Sequence, residues 1–258
     1  MALRNGLLVH GPRYWAAAVR SDGEVLIASG RKPRFAVGPI GSRPLERGVA
    51  RLAESLAVLP AVRRGLPEAR FAMEDGPSNV AILASTLLAA GARYRFRSVL
   101  AQEAVATTVG LLPTLVVLRT SPASVWHAVE HKSIAAYEAG GLDEVSHAAD
   151  HAKEHPRCGS NLVLPLMLTT ILANTALRLS GRRRSFRLRA AATAISLGAA
   201  VEIFVFAGRS PRHPVGRVVH GAGHAIQAAF VTREPGQDDL DVGRAAMERL
   251  LSVESEGS

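Results

Sequence analysis

The sequence predicts a polytopic α-helical membrane protein with a small α+β membrane-proximal part, made of an N-terminal β-hairpin, central His-rich helices and a C-terminal helix. Three observations predict it. Apolar side chains make up 48% of the 258 residues while aromatic ones make up only 5%, so the apolar content is Ala, Leu and Val, which suits packed helices. Two adjacent runs, Asn161 to Leu179 and Ala190 to Ala207, each approach the roughly twenty residues that a bilayer requires, whereas shorter apolar runs are normal in soluble cores. The formal charge of +9 is not spread evenly, because Arg clusters flank the apolar runs.

Residues 1–78 begin with strands. Tyr14 to Arg20, the turn residues Ser21-Asp22-Gly23, and Glu24 to Ala28 have the pattern of a hairpin, and the Arg-, Pro- and Gly-rich stretch Arg31 to Gly41 is expected to be a loop. Leu7 to Val9 is too short an apolar run for a signal peptide, and His10-Gly11-Pro12 ends it. From Pro44 to about Leu59, Leu45, Val49, Leu52 and Leu56 recur at helical spacing, which predicts an amphipathic helix at a surface or interface.

Residues 79–118 are expected to form a first membrane hairpin, from a short run at Asn79 to Ala92 and a longer one at Val99 to Leu118. Residues 161–208 form the second. Arg93, Arg95 and Arg97 mark the tip of one, and Arg182-Arg183-Arg184 with Arg187 and Arg189 the tip of the other. Basic tips argue for the cytoplasmic side, but the Arg-rich residues 1–78 would then lie on the opposite face. The absence of an export signal and the single cysteine favour an inner, cytoplasmic membrane with residues 1–78, the central loop and the tail on the cytoplasmic face.

The polar segment 119–160 holds five of the nine histidines. In Trp126-His127-Ala128-Val129-Glu130-His131-Lys132, a helix would place His127 and His131 one turn apart, with Glu130 beside them and Glu138 two turns further along through Ile134. Two imidazoles at that spacing can share one ion while a neighbouring carboxylate ligates it or takes a proton from water. The order His-x-x-Glu-His is also that of the inverted zinc-peptidase motif, although a solvated face with ion pairs has the same spacing. His147, His151 and His155 recur every fourth residue and predict a helical stripe that Pro156 should stop. His155 and Cys158 have the spacing of paired ligands, with Cys158 bound as thiolate; an inert buried cysteine is the plainer alternative. A solvent-facing stripe accounts for His147 and His151.

Glu202 is an ionisable group inside an apolar run, hence a functional candidate unless an Arg or a hydrogen bond satisfies it. Residues 209–258 form a tail in which His220 and His224 lie one turn apart at an interface, followed by Thr232-Arg233-Glu234-Pro235 and a helix from about Asp238 to Leu251.

In order along the chain, Gly11-Pro12 with Trp15-Ala16-Ala17-Ala18-Val19-Arg20, Arg47-Gly48-Val49 with Glu54-Ser55-Leu56, the His127 to Lys132 motif with Tyr137-Glu138, His155-Pro156-Arg157-Cys158-Gly159, Glu202, and Thr232-Arg233-Glu234-Pro235 with Leu240-Asp241-Val242 resemble the YqhQ-like family of bacterial membrane proteins. That family is a domain of unknown function whose members are labelled metal-dependent enzymes. The resemblance implies a membrane setting and a metal, not a reaction. Two departures stand out: the family's opening Gly-Gly-Gln-Ala-Val-x-Glu-Gly-Val-Met loses its glutamate in Met1 to His10, and Gly221-Ala222-Gly223-His224 replaces an aromatic stretch.

Two functions follow as expectations. In the first, a metal-dependent membrane hydrolase binds Zn²⁺ or a similar divalent ion through His127, His131, Glu138, His155 and Cys158. Glu130 is the base, and Lys132 and Arg157 orient an anionic or lipid-linked substrate. In the second, the same residues close the coordination sphere of a non-catalytic membrane scaffold or structural metal protein. Nucleic acid is not an expected partner, because the Arg clusters sit at hairpin tips with little aromatic interleaving, and membrane lipids are. An oligomer is left open.

Overall fold

The computed structural model describes residues 1–34, 43–71, 74, 76–181 and 185–256, so most of the Arg31 to Gly41 loop and the Arg182-Arg183-Arg184 tip lie outside the described residues. The chain opens with a three-stranded antiparallel meander, β1 (Gly6–His10), β2 (Tyr14–Ser21) and β3 (Glu24–Arg31). The hairpin turn sits at Asp22 and Gly23, both at positive φ (51° and 85°), which matches the right-handed twist of the flanking strands. The hairpin expected from Tyr14 onward is therefore present, and Leu7 to Val9 add a third strand, in register with Ala18 to Ala16.

Both faces of this sheet are covered. Leu7, Val9, Ala16 and Ala18 face Trp126, Val129, Ala246 and Met247, while Leu8, Trp15, Ala17 and Val19 face Val58, Val62 and Leu66. Three alanines in the central strand keep both faces shallow, so helices approach the sheet from either side. The helices are α1 (Glu46–Leu56), α2 (Leu59–Gly65), α3 (Gly76–Ala92), α4 (Val99–Thr120), α5 (Ala123–Gly140), α6 (Val163–Leu179), α7 (Phe186–Arg209), α8 (Pro214–Ile226) and α9 (Gln237–Glu256). A π-helical turn, Gln227–Val231, extends α8.

Three helical stretches, Val99–Thr120, Gly159–Leu179 and Phe186–Arg209, are long and apolar enough to cross a membrane. The fourth apolar run is shorter. At 17 residues α3 reaches about 25 Å, against the roughly 30 Å of a hydrocarbon core. The pairs α3/α4 and α6/α7 pack as hairpins, and α4 against α6 joins them. Leu83, Leu87, Val116, Leu172 and Ile195 remain exposed on this bundle. The amphipathic helix α1 lies against α7, where Gly48 admits Val201 and Gly198 admits Leu45. There Glu202 is paired with Arg47 at 2.5 Å and accepts the Leu45 amide at 3.1 Å, so its charge inside the apolar run has an Arg partner.

The expected His147, His151, His155 stripe does not form. Residues Asp143–Asp150 are 3₁₀, His147 has non-helical dihedrals (φ −101°, ψ 20°), and His151 is extended. Gly140-Gly141, with Gly141 at φ 77°, stops α5, and the tighter winding that follows removes the four-residue repeat on which the stripe depended. His147 and His151 lie instead beside Glu144, at 3.9 and 3.2 Å.

Helix α9 sits close to α5 because Gly243 has no side chain: a Cβ there would stand 2.5 Å from both Val129 Cγ1 and Ser133 Oγ. Helix propensity alone makes Gly→Ala stabilising by about 1 kcal/mol, whereas overpacking costs about 1–3 kcal/mol. Because both clashing atoms belong to buried residues, Gly243→Ala is expected to lower the thermal midpoint of detergent-solubilised protein; an increase would show that α9 moves freely on α5.

Candidate metal centre

Helix α5 carries one half of the site. Trp126, Val129 and Ala136 face the core, and the neighbouring stripe presents His127, Glu130, His131, Ile134, Tyr137 and Glu138 to a cavity of about 560 Å³. Sheet residues His10 to Pro12 and the α9 residues Met247, Leu250 and Glu254 form other walls.

The other half is an irregular segment that three buried polar side chains pull into place. Lys132, 4% exposed, donates to the carbonyls of Ala149 (2.9 Å) and His151 (2.7 Å) and pairs with Glu234 at 2.7 Å. Gln227, 1% exposed, accepts the His155 amide at 2.8 Å and donates to its carbonyl at 3.3 Å. Asn161 donates to the carbonyls of Pro156 (2.9 Å) and Cys158 (3.2 Å), where the missing Cβ of Gly223 leaves it room. Cys158 is thereby held as the cap of a 3₁₀ turn, Gly159–Leu162, with its Sγ accepting the Ser160 amide at 3.4 Å.

These restraints bring His127, His131 and Cys158 together, with one ligand atom from each within 4.8 Å of the others. Cys158 Sγ is 3.3 Å from His127 Nε2. His131 Nδ1 lies 2.6 Å from the Lys153 carbonyl, which can only accept, so Nδ1 carries the proton and Nε2 keeps its lone pair for a ligand. Burial holds the imidazole of His127 below its usual range; burial, reinforced by His127, brings His131 down to about 4. Burial pushes the Cys158 thiol up. Two neutral imidazoles and a thiol that a cation would deprotonate form a donor set suited to a divalent ion of intermediate softness.

Glu138 and His155 lie at the cavity but in a different arrangement. The His155 ring accepts the Arg157 amide at Nδ1 (3.2 Å), and its Nε2 lies 3.5 Å from Glu138, which is also ion-paired with Arg157. Glu138, His155 and Arg157 thus form a small charged network beside the His127, His131, Cys158 cluster. Glu130 is bonded to the Met1 amino group at 2.5 Å; burial by itself pushes the carboxyl's pKa up, but that ammonium and His127 outweigh burial and hold it below the usual carboxylate range. Lys132 does not line the cavity. Its three partners are structural, and Glu202, His147 and His151 lie outside the cavity as well.

Sequence reasoning missed His10. It lines the main cavity and an adjoining one of about 430 Å³, together with His127 and Glu130 in both, and both of its ring nitrogens are buried without a hydrogen-bond partner among the described residues. The one signal was a histidine between an apolar strand and Gly11-Pro12, where it had served only to mark the end of the run. Burial, reinforced by the Met1 ammonium and Lys32, brings the His10 imidazole down to about 4. Folded protein therefore keeps His10 neutral where the unfolded chain, near 6.5, binds a proton. Its contribution is full above about pH 6.5 and is lost as the pH falls towards 4, on the order of 3 kcal/mol across that window. Thermal melts of chelator-treated protein between pH 7 and 4 should accordingly fall less steeply for His10→Gln than for wild type; parallel curves would show that His10 is not buried neutral.

No curated protein and no solved structure matches this chain. A family model described as a protein of unknown function, DUF1385, matches residues 121–253. That match covers just over half of the chain, from the residues before α5 to the last turns of α9, and it takes in His127, His131 and Cys158. The chain therefore belongs to the DUF1385 family of proteins of unknown function.

Proposed function

We propose that the protein is a polytopic membrane metalloenzyme, a hydrolase whose divalent ion, Zn²⁺ by preference, is held by His127, His131 and Cys158 at the membrane boundary. The observation that carries this reading is the convergence of three ligand atoms at the wall of a large cavity. Three protein ligands with a fourth position facing a cavity is the arrangement of catalytic rather than structural zinc. Bound there, the ion supplies Lewis acidity, polarising a carbonyl or phosphoryl group and making water a stronger nucleophile near neutral pH.

The chain's own residues divide the remaining work. Glu130, next to His131 in the chain and three residues on from His127, is the base that takes a proton from water. Arg157, more than half exposed at the cavity, is paired with Glu138 and is placed to hold an anionic group of a small or lipid-linked substrate. Glu138 and His155 hold Arg157 in position and stand as reserve ligands. The cavity's apolar walls, Ile134, Met247 and Leu250, limit water. Three helices long and apolar enough to cross a membrane support a membrane setting, which we read as an inner, cytoplasmic membrane, and the order of the motifs supports grouping the chain with YqhQ-like proteins inside its family.

A structural metal site is the second reading, and one contact favours it: Glu130 is already paired with an ammonium rather than free. The two readings separate by experiment. Elemental analysis of detergent-purified protein is expected to give about one ion per chain, lost in His127→Ala, His131→Ala and Cys158→Ser but kept in Glu130→Gln. In the Co²⁺-substituted protein a thiolate charge-transfer band should vanish in Cys158→Ser and shift on adding azide. No retained ion in wild type would end the metal reading; a band that ignores azide would mark a closed, structural site.

A further inference from the structure

At the opposite end of the bundle from the candidate metal centre, α4, α6, α7 and the residue just past α3 contribute to one polar cluster. Glu103, in the second turn of α4 and 1% exposed, is held by Arg93 in a two-pronged pair (Nε to Oε1 3.0 Å, Nη2 to Oε2 3.1 Å). From α6, Arg178 adds a bond to Oε1 at 2.8 Å and Asn174 one to Oε2 at 3.3 Å. Arg189, in the first turn of α7, lines the same pocket of about 150 Å³ and makes no ion pair among the described residues. Three guanidiniums around one carboxylate leave two positive charges uncompensated. A buried carboxylate needs a partner, and one arginine meets that need; the surplus is what requires a reason.

We propose that this pocket binds a phosphate group, supplied by the headgroup of an anionic phospholipid. Arginine's planar fork suits phosphate oxygens, and Glu103, itself held by Asn174, fixes two of the three forks in place. The setting points to a lipid source. The cluster lies where the apolar helices end, at the level of Tyr94 (92% exposed), Phe96 (40%) and Phe186 (75%), as expected of aromatic side chains at a headgroup boundary. Among the described residues, no other carboxylate lines the pocket to neutralise it. The site is independent of the metal reading, since its residues share no element with His127, His131 or Cys158.

Native mass spectrometry of the full chain, delipidated in mild detergent and titrated with phosphatidylglycerol or phosphatidylcholine, tests this. Wild type is expected to retain about one phosphatidylglycerol in preference to phosphatidylcholine, and Arg189→Gln to weaken that binding about fivefold, the weight of one arginine at an anionic surface. Arg95→Gln, at the same tip but outside the pocket, should leave it unchanged, and an unaltered melting curve for Arg189→Gln excludes misfolding, since Glu103 keeps Arg93, Arg178 and Asn174. Inorganic phosphate provides the second arm. Arg189-dependent binding of phosphate without lipid preference would assign the group to a soluble phosphate source and overturn the lipid assignment. Equal loss in both variants, or no binding of either probe, would overturn the phosphate site altogether.

Discussion

The candidate metal centre depends on a lysine that never touches it. Lys132 is almost fully buried, and a buried ammonium without acceptors would be prohibitively costly. Its three acceptors come from two distant segments: the carbonyls of Ala149 and His151 on one side, Glu234 on the other. Satisfying that charge draws the 149–153 backbone across α5, which is what sets the Lys153 carbonyl against His131 Nδ1 and leaves the ring's other nitrogen aimed inward. The peptide continuing from there delivers Cys158. A group chosen for its charge at the sequence level thus works as a tie.

How much of this was legible in the residues follows from the range of the forces involved. Periodic signals are local, so the β2–β3 hairpin, the amphipathic α1, the apolar runs and a helix carrying His127 and His131 one turn apart could all be read. Helix α3 was legible as a short apolar run from Asn79, but its start at Gly76 was not, because that boundary depends on where the chain turns. The His147 stripe was misread for a different reason. A four-residue repeat says helix only if the backbone keeps 3.6 residues per turn, and the break at Gly141 followed by 3₁₀ winding abolishes the face. Cys158 was legible as a ligand type, but its partners are 31 and 27 positions away and are chosen by Lys132, Gln227 and Asn161. His10 belongs to a strand whose partner helix lies more than a hundred residues on, and nothing nearby in the chain signals that it shares a cavity with Glu130.

Charge inside the apolar part follows one rule at both ends of the bundle. Glu202 is balanced by Arg47 from α1, and Glu103 by arginines from both hairpins. Each carboxylate therefore fastens together elements that greasy side chains alone would leave free to slide, since lipid offers apolar surfaces no reason to prefer one another. Glycines at 48 and 198 sharpen the first of these contacts by letting α1 and α7 close on each other.

Only Ser121 and Pro122 separate the end of α4 from the start of α5, and His127 lies in the second turn of α5. At 22 residues α4 measures about 33 Å, slightly more than a typical hydrocarbon core, so in a bilayer it must lean to hide its length. A thinner membrane would make it lean further, and with so short a joint the lean is passed on to the helix bearing both imidazoles, while Cys158 stays anchored to α8 through Asn161. Bilayer thickness would then act on the separation between the two imidazoles and the Cys158 sulfur, giving lipid composition mechanical access to the geometry of the candidate site.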